Sequence, residues 1–159
     1  MNYKDNIFDS VCAIAALHHY LPHSRKNIYK ELYRILKPNG SICIADVMKN
    51  SLPDKFLNVF VDKYSSSGHD GYFFNRDDID NLKEIGFEVH YKLEKYFWDF
   101  ESWEHCFTYT KSLFHLIKYD KSLDEFKKEI QEYLPIIEHP NKTISWKWEL
   151  LYIHASLPK

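Results

Sequence analysis

Hydrophobic and polar residues alternate in blocks along the chain, and the period of each block predicts a strand or a helix. The runs Ser10 to Ala16 and Ser41 to Ala45 are apolar and of strand length, as expected for strands covered on both faces of a sheet. Between them, Ile28, Leu32 and Ile35 recur at helical spacing. Two buried strands joined by one helix should lie parallel, with a right-handed crossover.

Turn and capping residues mark the ends of the predicted elements. Pro22 opens the first helix, and Lys37-Pro38-Asn39-Gly40 ends it because proline cannot continue the hydrogen-bond ladder. Ser51 begins a second helix. Asn75 caps a third helix, and Gly86 ends it.

The C-terminal half adds two strands and a helical segment. The strand at 87–95 alternates at first, and the last strand, at 144–155, is expected to be half-buried at its start and fully buried at its end. Amphipathic helices are expected between them, with Asp99 and Ser122 as caps. We predict one α/β domain over residues 1–159, with a helical insertion over 99–138.

Composition and charge exclude several classes of function. The formal net charge is -2 and the basic residues are scattered, so the chain has no electrostatic footprint for nucleic acid. The longest apolar stretch is too short to span a bilayer, and no basic region followed by an apolar segment opens the chain. We therefore expect a cytoplasmic protein that binds neither nucleic acid nor membranes.

The cysteines are odd in number and widely spaced. Cys12 and Cys43 lie inside the two apolar runs, and Cys106 lies far from both. Reduced, buried thiols in the cytoplasm are the simplest interpretation, since no zinc-ligand spacing is present.

Polar residues that follow the two apolar strands are the candidates for a site. Asp46 ends the second strand and His18 follows the first, and ligands of open α/β sheets bind beyond these carboxyl ends. Asp46 either orients or deprotonates a substrate, or is a capping carboxylate. Adding His19 and His23 as metal ligands gives a spacing that matches no standard site, so no metal is expected.

Three stretches together carry a specific resemblance. They are "YKDNIFDSVCAIAALHHYLPHSRKNIYKELYRILKPNGSICIADV" from Tyr3 to Val47, "FFNRDDIDNLKEIGFEV" from Phe73 to Val89, and "WELLYIHASLPK" from Trp148 to Lys159. In this order they resemble a class I S-adenosylmethionine-dependent methyltransferase. The Leu-His-His segment and the helix ending in Lys-Pro-Asn-Gly are the most specific parts.

The resemblance implies a fold and a strand order. The expected fold is a partial Rossmann-like α/β sheet. Its strands should lie in the order 10–16, 41–46, 144–155, 87–95, with the last strand of the sequence antiparallel to its neighbours.

The resemblance also implies that the chain is the C-terminal portion of the fold. Family members bind the cofactor through a glycine-rich turn and an acidic residue that precede this point. The chain's glycines, Gly40, Gly68, Gly71 and Gly86, lie elsewhere. A truncated sheet would leave the outer edge of strand 10–16 unpaired, which invites a second copy or a complementing N-terminal half.

By resemblance, the cofactor is S-adenosylmethionine and the methyl acceptor is a small molecule. The backbone of Ala13 and Ile14 would contact the methionine end of the cofactor, with His18 nearby. His18 and Asp46 are the candidate catalytic residues. The alternative for Ala13 and Ile14 is packing in the core.

The sequence is compatible with three hypotheses for the function of the chain. The chain is either part of a methyltransferase, inactive by itself, or a catalytically inactive remnant that serves as an oligomeric or partner-binding module. A nicotinamide-dependent oxidoreductase is a third hypothesis, against which the Leu-His-His and Lys-Pro-Asn-Gly elements argue. The aromatic segment Tyr96 to Phe114 either lines an apolar pocket or forms a helical cap on the sheet.

Overall fold

A computed structural model describes residues 3–158. The strands are β1 (Phe8–Ile14), β2 (Leu36–Asp46), β3 (Glu88–Phe100), β4 (Ile136–Glu138) and β5 (Ile144–Ser156). The helices are α1 (Pro22–Ile35), α2 (Leu52–Lys55), α3 (Asp62–Tyr64), α4 (Arg76–Ile85), α5 (Trp103–Leu113) and α6 (Leu123–Ile130). A short 3₁₀ turn, Leu17–His19, follows β1, and a π-helical segment, Phe56–Val61, joins α2 to α3.

The strands form one sheet in the order β1-β2-β5-β3, with β4 paired to β5. β1 and β2 are parallel, and β2 and β5 are antiparallel. This confirms the predicted strand order and the predicted sense of these two pairings.

The chain divides into two compact units. The first runs up to Lys49 and includes Tyr72–Glu94 and the chain from Leu150 onward; the second comprises Asn50–Gly71 and Lys95–Glu149. β1, α1, β2 and α4 belong to the first unit, whereas α5 and α6, the helices within the predicted insertion, belong to the second. Within residues 3–158, no helix has both the length and the apolar character needed to cross a bilayer.

Most of the predicted helix ends are confirmed. Asn75 forms a capping box at the start of α4, and Gly86 ends that helix in the left-handed region, with φ 116°. Ser122 forms the capping box of α6. The prediction for Asp99 is wrong, because β3 continues past it and Ser102 caps α5.

The core of the first unit lies between α1, α4 and one face of the sheet. Leu32 and Ile35 of α1 are buried in it, as their spacing predicted, together with Ile42 and Ile44 of β2 and Ile153 of β5. Side chains alternate across a strand, so the residues between these positions belong to the other face.

The burial of the strands corrects three predictions. Cys12, Ile14 and Cys43 are exposed, so β1 and β2 are covered on one face rather than two. For the same reason, the prediction of buried thiols is wrong for Cys12 and Cys43, whereas Cys106 is buried. The burial of β5 is also the reverse of the prediction. Its first residues, from Ile144 to Trp148, are largely buried, whereas further along the strand Tyr152 and His154 are exposed and alternate with buried residues.

A buried ion pair joins α1 to α4. The Arg25 guanidinium donates to Asp78 through Nε (2.7 Å to Oδ1) and Nη2 (2.8 Å to Oδ2). The Tyr29 hydroxyl also donates to Asp78 Oδ1, at 2.9 Å. Arg25 is fully buried and Asp78 is 2% exposed, so each charge depends on the other for compensation.

Aromatic side chains fill the second unit. The Phe56 ring lies 5.3 Å from Phe60, 5.4 Å from Phe114 and 5.9 Å from Trp146, measured between centroids. Trp98, from the aromatic segment, lies 5.4 Å from Trp146. These contacts favour packing over an open pocket for the aromatic segment.

Gly40 lies where β2 bulges away from β1, and its lack of a side chain is essential there. A Cβ at this position would meet the Lys37 carbonyl oxygen at 2.8 Å and the Asp9 carbonyl oxygen at 3.2 Å. Gly40→Ala should therefore lower the free energy of unfolding by about 1–3 kcal/mol, measured by urea denaturation. Ser41→Ala, one residue on, is the control and should change it by less than about 0.5 kcal/mol. Equal effects of the two substitutions would contradict this reasoning.

Candidate active site

Two predicted site residues meet at the carboxyl ends of β1 and β2. His18 lies in the 3₁₀ turn after β1, and Asp46 is the last residue of β2. His18 Nδ1 lies 2.7 Å from Asp46 Oδ1, and the two residues are 5% and 0% exposed. They are 28 positions apart in the sequence and come together because β1 and β2 are parallel neighbours.

Backbone hydrogen bonds fix the Asp46 carboxylate. The amide of His18 donates to Oδ2 at 3.2 Å, and the amide of Val47 donates to Oδ1 at 2.8 Å. The turn after β1 is held from two sides, since Ala15 N donates to Ala45 O and Tyr72 N donates to His18 O, both at 2.8 Å. Asp46 thus accepts hydrogen bonds from the turns that follow both strands, which is the capping role that the sequence analysis gave as its alternative.

The pairing also sets the tautomer of His18. An ionised carboxylate only accepts hydrogen bonds, so Nδ1 carries the proton that it donates to Asp46. In the neutral ring, the lone pair then lies on Nε2. The carboxylate–imidazole pair of a catalytic triad has this same arrangement, in which the histidine acts as the general base.

The other two histidines of the sequence analysis do not join this pair in a metal site. The His19 ring lies 4.0 Å from the His18 ring between centroids, and His23 is exposed on α1. Burial first, and then the charge of His18, lower the pKa of His19, while Asp46 opposes them. Across residues 3–158, no group of three or more His, Cys, Asp or Glu side chains could hold a metal ion.

Ala13 and Ile14 have different environments. Ala13 packs half-buried against the core, as the alternative interpretation had it. Ile14 is 66% exposed at the end of β1, so core packing is wrong for it.

A groove of about 330 Å³ lies on the exposed sheet face of the first unit. Its lining is mostly apolar and contains no acidic side chain. It comprises Cys12, Ile14, Cys43, Ile44, Ala45, His90, Tyr91, Lys92, Tyr152, Ile153 and His154.

The buried Arg25–Asp78 ion pair of this unit was not predicted from the sequence. A signal was present, because Arg25 precedes Ile28, Leu32 and Ile35 at helical spacing and so lies on the buried stripe of α1. A charge on such a stripe implies a buried partner.

Comparison with known proteins agrees with this architecture. Residues 1–44 match a family model described as a methyltransferase domain. A candidate methyltransferase from Bacillus halodurans has a similar solved structure: it is 22% identical, the match covers 100% of this chain and 68% of that chain, and the TM-score is 0.57. The chain has the class I methyltransferase fold. A search of curated proteins by sequence gives no match.

Two further structures share the methyltransferase fold. An S-adenosylmethionine-dependent methyltransferase from Thermotoga maritima is 16% identical, with 99% of this chain and 60% of that chain covered and a TM-score of 0.54. Phosphoethanolamine N-methyltransferase 2 from Haemonchus contortus, solved with S-adenosylhomocysteine, is 17% identical. The match covers 99% of this chain and 35% of that chain, with a TM-score of 0.51. The methyltransferase resemblance and the α/β class are confirmed, while the roles of individual site residues stay predictions.

Proposed function

We propose that this chain takes part in S-adenosylmethionine-dependent methyl transfer to a small molecule, as the C-terminal part of such an enzyme. The observation that carries the proposal is the buried His18–Asp46 pair at the carboxyl ends of two parallel strands. Ligands of open α/β sheets bind at this edge. Lys and Arg together number 21 against 23 for Asp and Glu, which favours a small acceptor over a nucleic acid.

The proposal assigns the methionine end of the cofactor to the residues at this edge. The exposed Ile14 and the neighbouring Ala13 would present backbone groups to it, at the point where the chain leaves β1. When bound, S-adenosylmethionine supplies a methyl group already activated on its sulfonium sulfur. The protein therefore has mainly to align the acceptor with that methyl group.

His18 would remove a proton from an acceptor that carries one. Asp46 holds Nδ1–H, so Nε2 is the atom that accepts the proton. Asp46 would then stabilise the imidazolium that forms, because the carboxylate lies in contact with the ring.

The adenosine end of the cofactor has no comparable set of residues in 3–158. Gly40 lies in the β2 bulge and Gly86 ends α4. Neither glycine therefore lies in a turn between a strand and a following helix, where this kind of cofactor is bound. We propose that a partner completes the site: a second copy or a complementing cofactor-binding half. The unpaired edge of β1 supports this, since among the described residues β1 pairs with β2 alone.

Amide chemical shifts in solution test the cofactor contact. Titration with S-adenosylhomocysteine at millimolar concentration should move the ¹⁵N–¹H signals of Ile14, Ala15 and His18. Adenosine, which lacks the amino acid end, should leave them unchanged. Equal shifts with both ligands would contradict the assignment, and silence with both would favour the inactive, partner-binding alternative.

Sedimentation velocity tests the partner. We expect the chain to self-associate, and Ile14→Lys should raise the dissociation constant by roughly tenfold or more, because a charge at an edge strand opposes pairing. Ile117→Lys is the matched control, since both isoleucines are 66% exposed and Ile117 lies in the second unit. A chain that stays monomeric at high concentration argues against a second copy and leaves only a different polypeptide.

A further inference from the structure

The strand β3 lies at the end of the sheet opposite β1 and has an open outer edge. Within residues 3–158, its neighbour in the sheet is β5 alone. β3 is 13 residues long, which is about twice the usual length of a strand. A long open edge presents backbone N–H and C=O groups with which another strand can pair. The side chains of β3 decide which strand fits this edge.

The middle of β3 carries charges on one face and apolar side chains on the other. Lys92 and Glu94 form an ion pair along the strand, and their side chains are 69% and 43% exposed. Side chains alternate across a strand, so Tyr91 and Leu93 belong to the opposite face. These two residues are 45% and 37% exposed. A strand that covers this edge must therefore match both a pair of opposite charges and an apolar strip.

A second copy of β3 matches this pattern when it pairs in the antiparallel sense. A two-fold axis between identical antiparallel strands places one residue opposite its own copy, because the two types of residue pair alternate along the ladder. With Leu93 at the axis, Lys92 of each copy faces Glu94 of the other. The ion pairs along and across the strands then join four charges of alternating sign. Opposite charges in directly facing positions stabilise a strand pair.

Other two-fold registers lack this match. With Lys92, Glu94 or Lys95 at the axis, the charged residue faces its own copy. With Tyr91 at the axis, Glu88 faces Glu94. Like charges in directly facing positions destabilise a strand pair, and an axis nearer to either end of β3 pairs fewer residues. The register in which Lys92 faces Glu94 therefore combines a long overlap with complementary charges.

We propose that the outer edge of β3 binds β3 of a second copy of the chain, antiparallel and centred on Leu93. The two sheets continue into one another through backbone hydrogen bonds. Lysine on an edge strand opposes pairing with most other strands, but in this register it faces a carboxylate, so the charges select a second copy over an unrelated strand. The contact is independent of the proposed methyl transfer and of the partner proposed for β1.

Sedimentation velocity with charge reversals tests the proposal. The Ile14→Lys chain is the starting point, because association at β1 is weakened in it while β3 is unchanged. We expect this chain to form dimers at about 100 μM. Glu94→Lys and Lys92→Glu should each raise the dissociation constant by roughly tenfold or more, because each places like charges opposite one another. The two reversals together exchange the charges and should restore the dissociation constant to within about threefold.

Glu88→Lys in the same Ile14→Lys chain is the matched control. Glu88 is an exposed residue of the same strand, but in the proposed register it faces Trp98 and no charge. Its reversal should therefore change the dissociation constant by less than about threefold. Circular dichroism checks that each variant folds. The proposal is overturned if the Ile14→Lys chain is monomeric at this concentration, if Glu88→Lys weakens the dimer as much as Glu94→Lys, or if the double reversal does not restore it.

Discussion

Asp78→Ala is expected to lower the free energy of unfolding by about 3–5 kcal/mol, because it leaves the buried Arg25 guanidinium without its carboxylate. Arg25 keeps hydrogen bonds to the carbonyl oxygens of Tyr20 and Tyr72. These satisfy some of its donors but bring no negative charge. The Tyr29 hydroxyl loses its acceptor at the same time. Guanidinium chloride denaturation followed by circular dichroism measures the loss.

Glu84→Ala is the matched control for this substitution. The Lys26 Nζ–Glu84 Oε2 pair also joins α1 to α4, at 2.7 Å, but both side chains are exposed. Water already solvates these charges, so the loss should stay below about 1 kcal/mol. If the two substitutions cost the same, burial is not what makes the Arg25–Asp78 pair important.

Phe56→Ala is expected to cost about 3–5 kcal/mol, because it empties the centre of the aromatic cluster in the second unit. The Phe56 ring is fully buried and contacts Phe60, Phe114 and Trp146. These large rings cannot collapse into the space without leaving their own rotamers. The change in denaturation midpoint, at constant slope, gives the effect.

Val59→Ala, in the same π-helical segment, serves as the control. Val59 is 46% exposed, so the substitution removes little buried surface and should change stability by less than about 0.5 kcal/mol. A small loss for Phe56→Ala would mean that the aromatic cluster is loosely packed.

Local signals in the sequence predicted much of the fold. Asn75 and Ser122 cap helices because side-chain oxygens satisfy amides that have no partner within a helix, and that chemistry depends only on nearby residues. The strand order was predicted as well, but from the family resemblance, since no local pattern specifies which strand lies between β2 and β3.

Long-range contacts could not be predicted in the same way. The Arg25–Asp78 pair joins residues 53 positions apart. The hydrophobic spacing within α1 or α4 does not show which residue of the other helix it contacts. The covering of β1 was predicted wrongly for a related reason. An apolar run favours burial on both faces of a strand, but it does not specify a neighbouring element that covers each face, and one face of β1 is exposed. His18 and Asp46 were identified as candidates singly, and only the parallel pairing of β1 and β2 brings them into contact.

The open flank of β1 bears on how long the chain survives in a cell. Ile14 exposes apolar surface on β1, and the outer edge of β1 has no neighbouring strand in residues 3–158. Proteases and chaperones recognise such surfaces in newly made polypeptides. If a partner covers that flank as proposed, the abundance of the chain should follow the supply of that partner, because chain made in excess would be degraded.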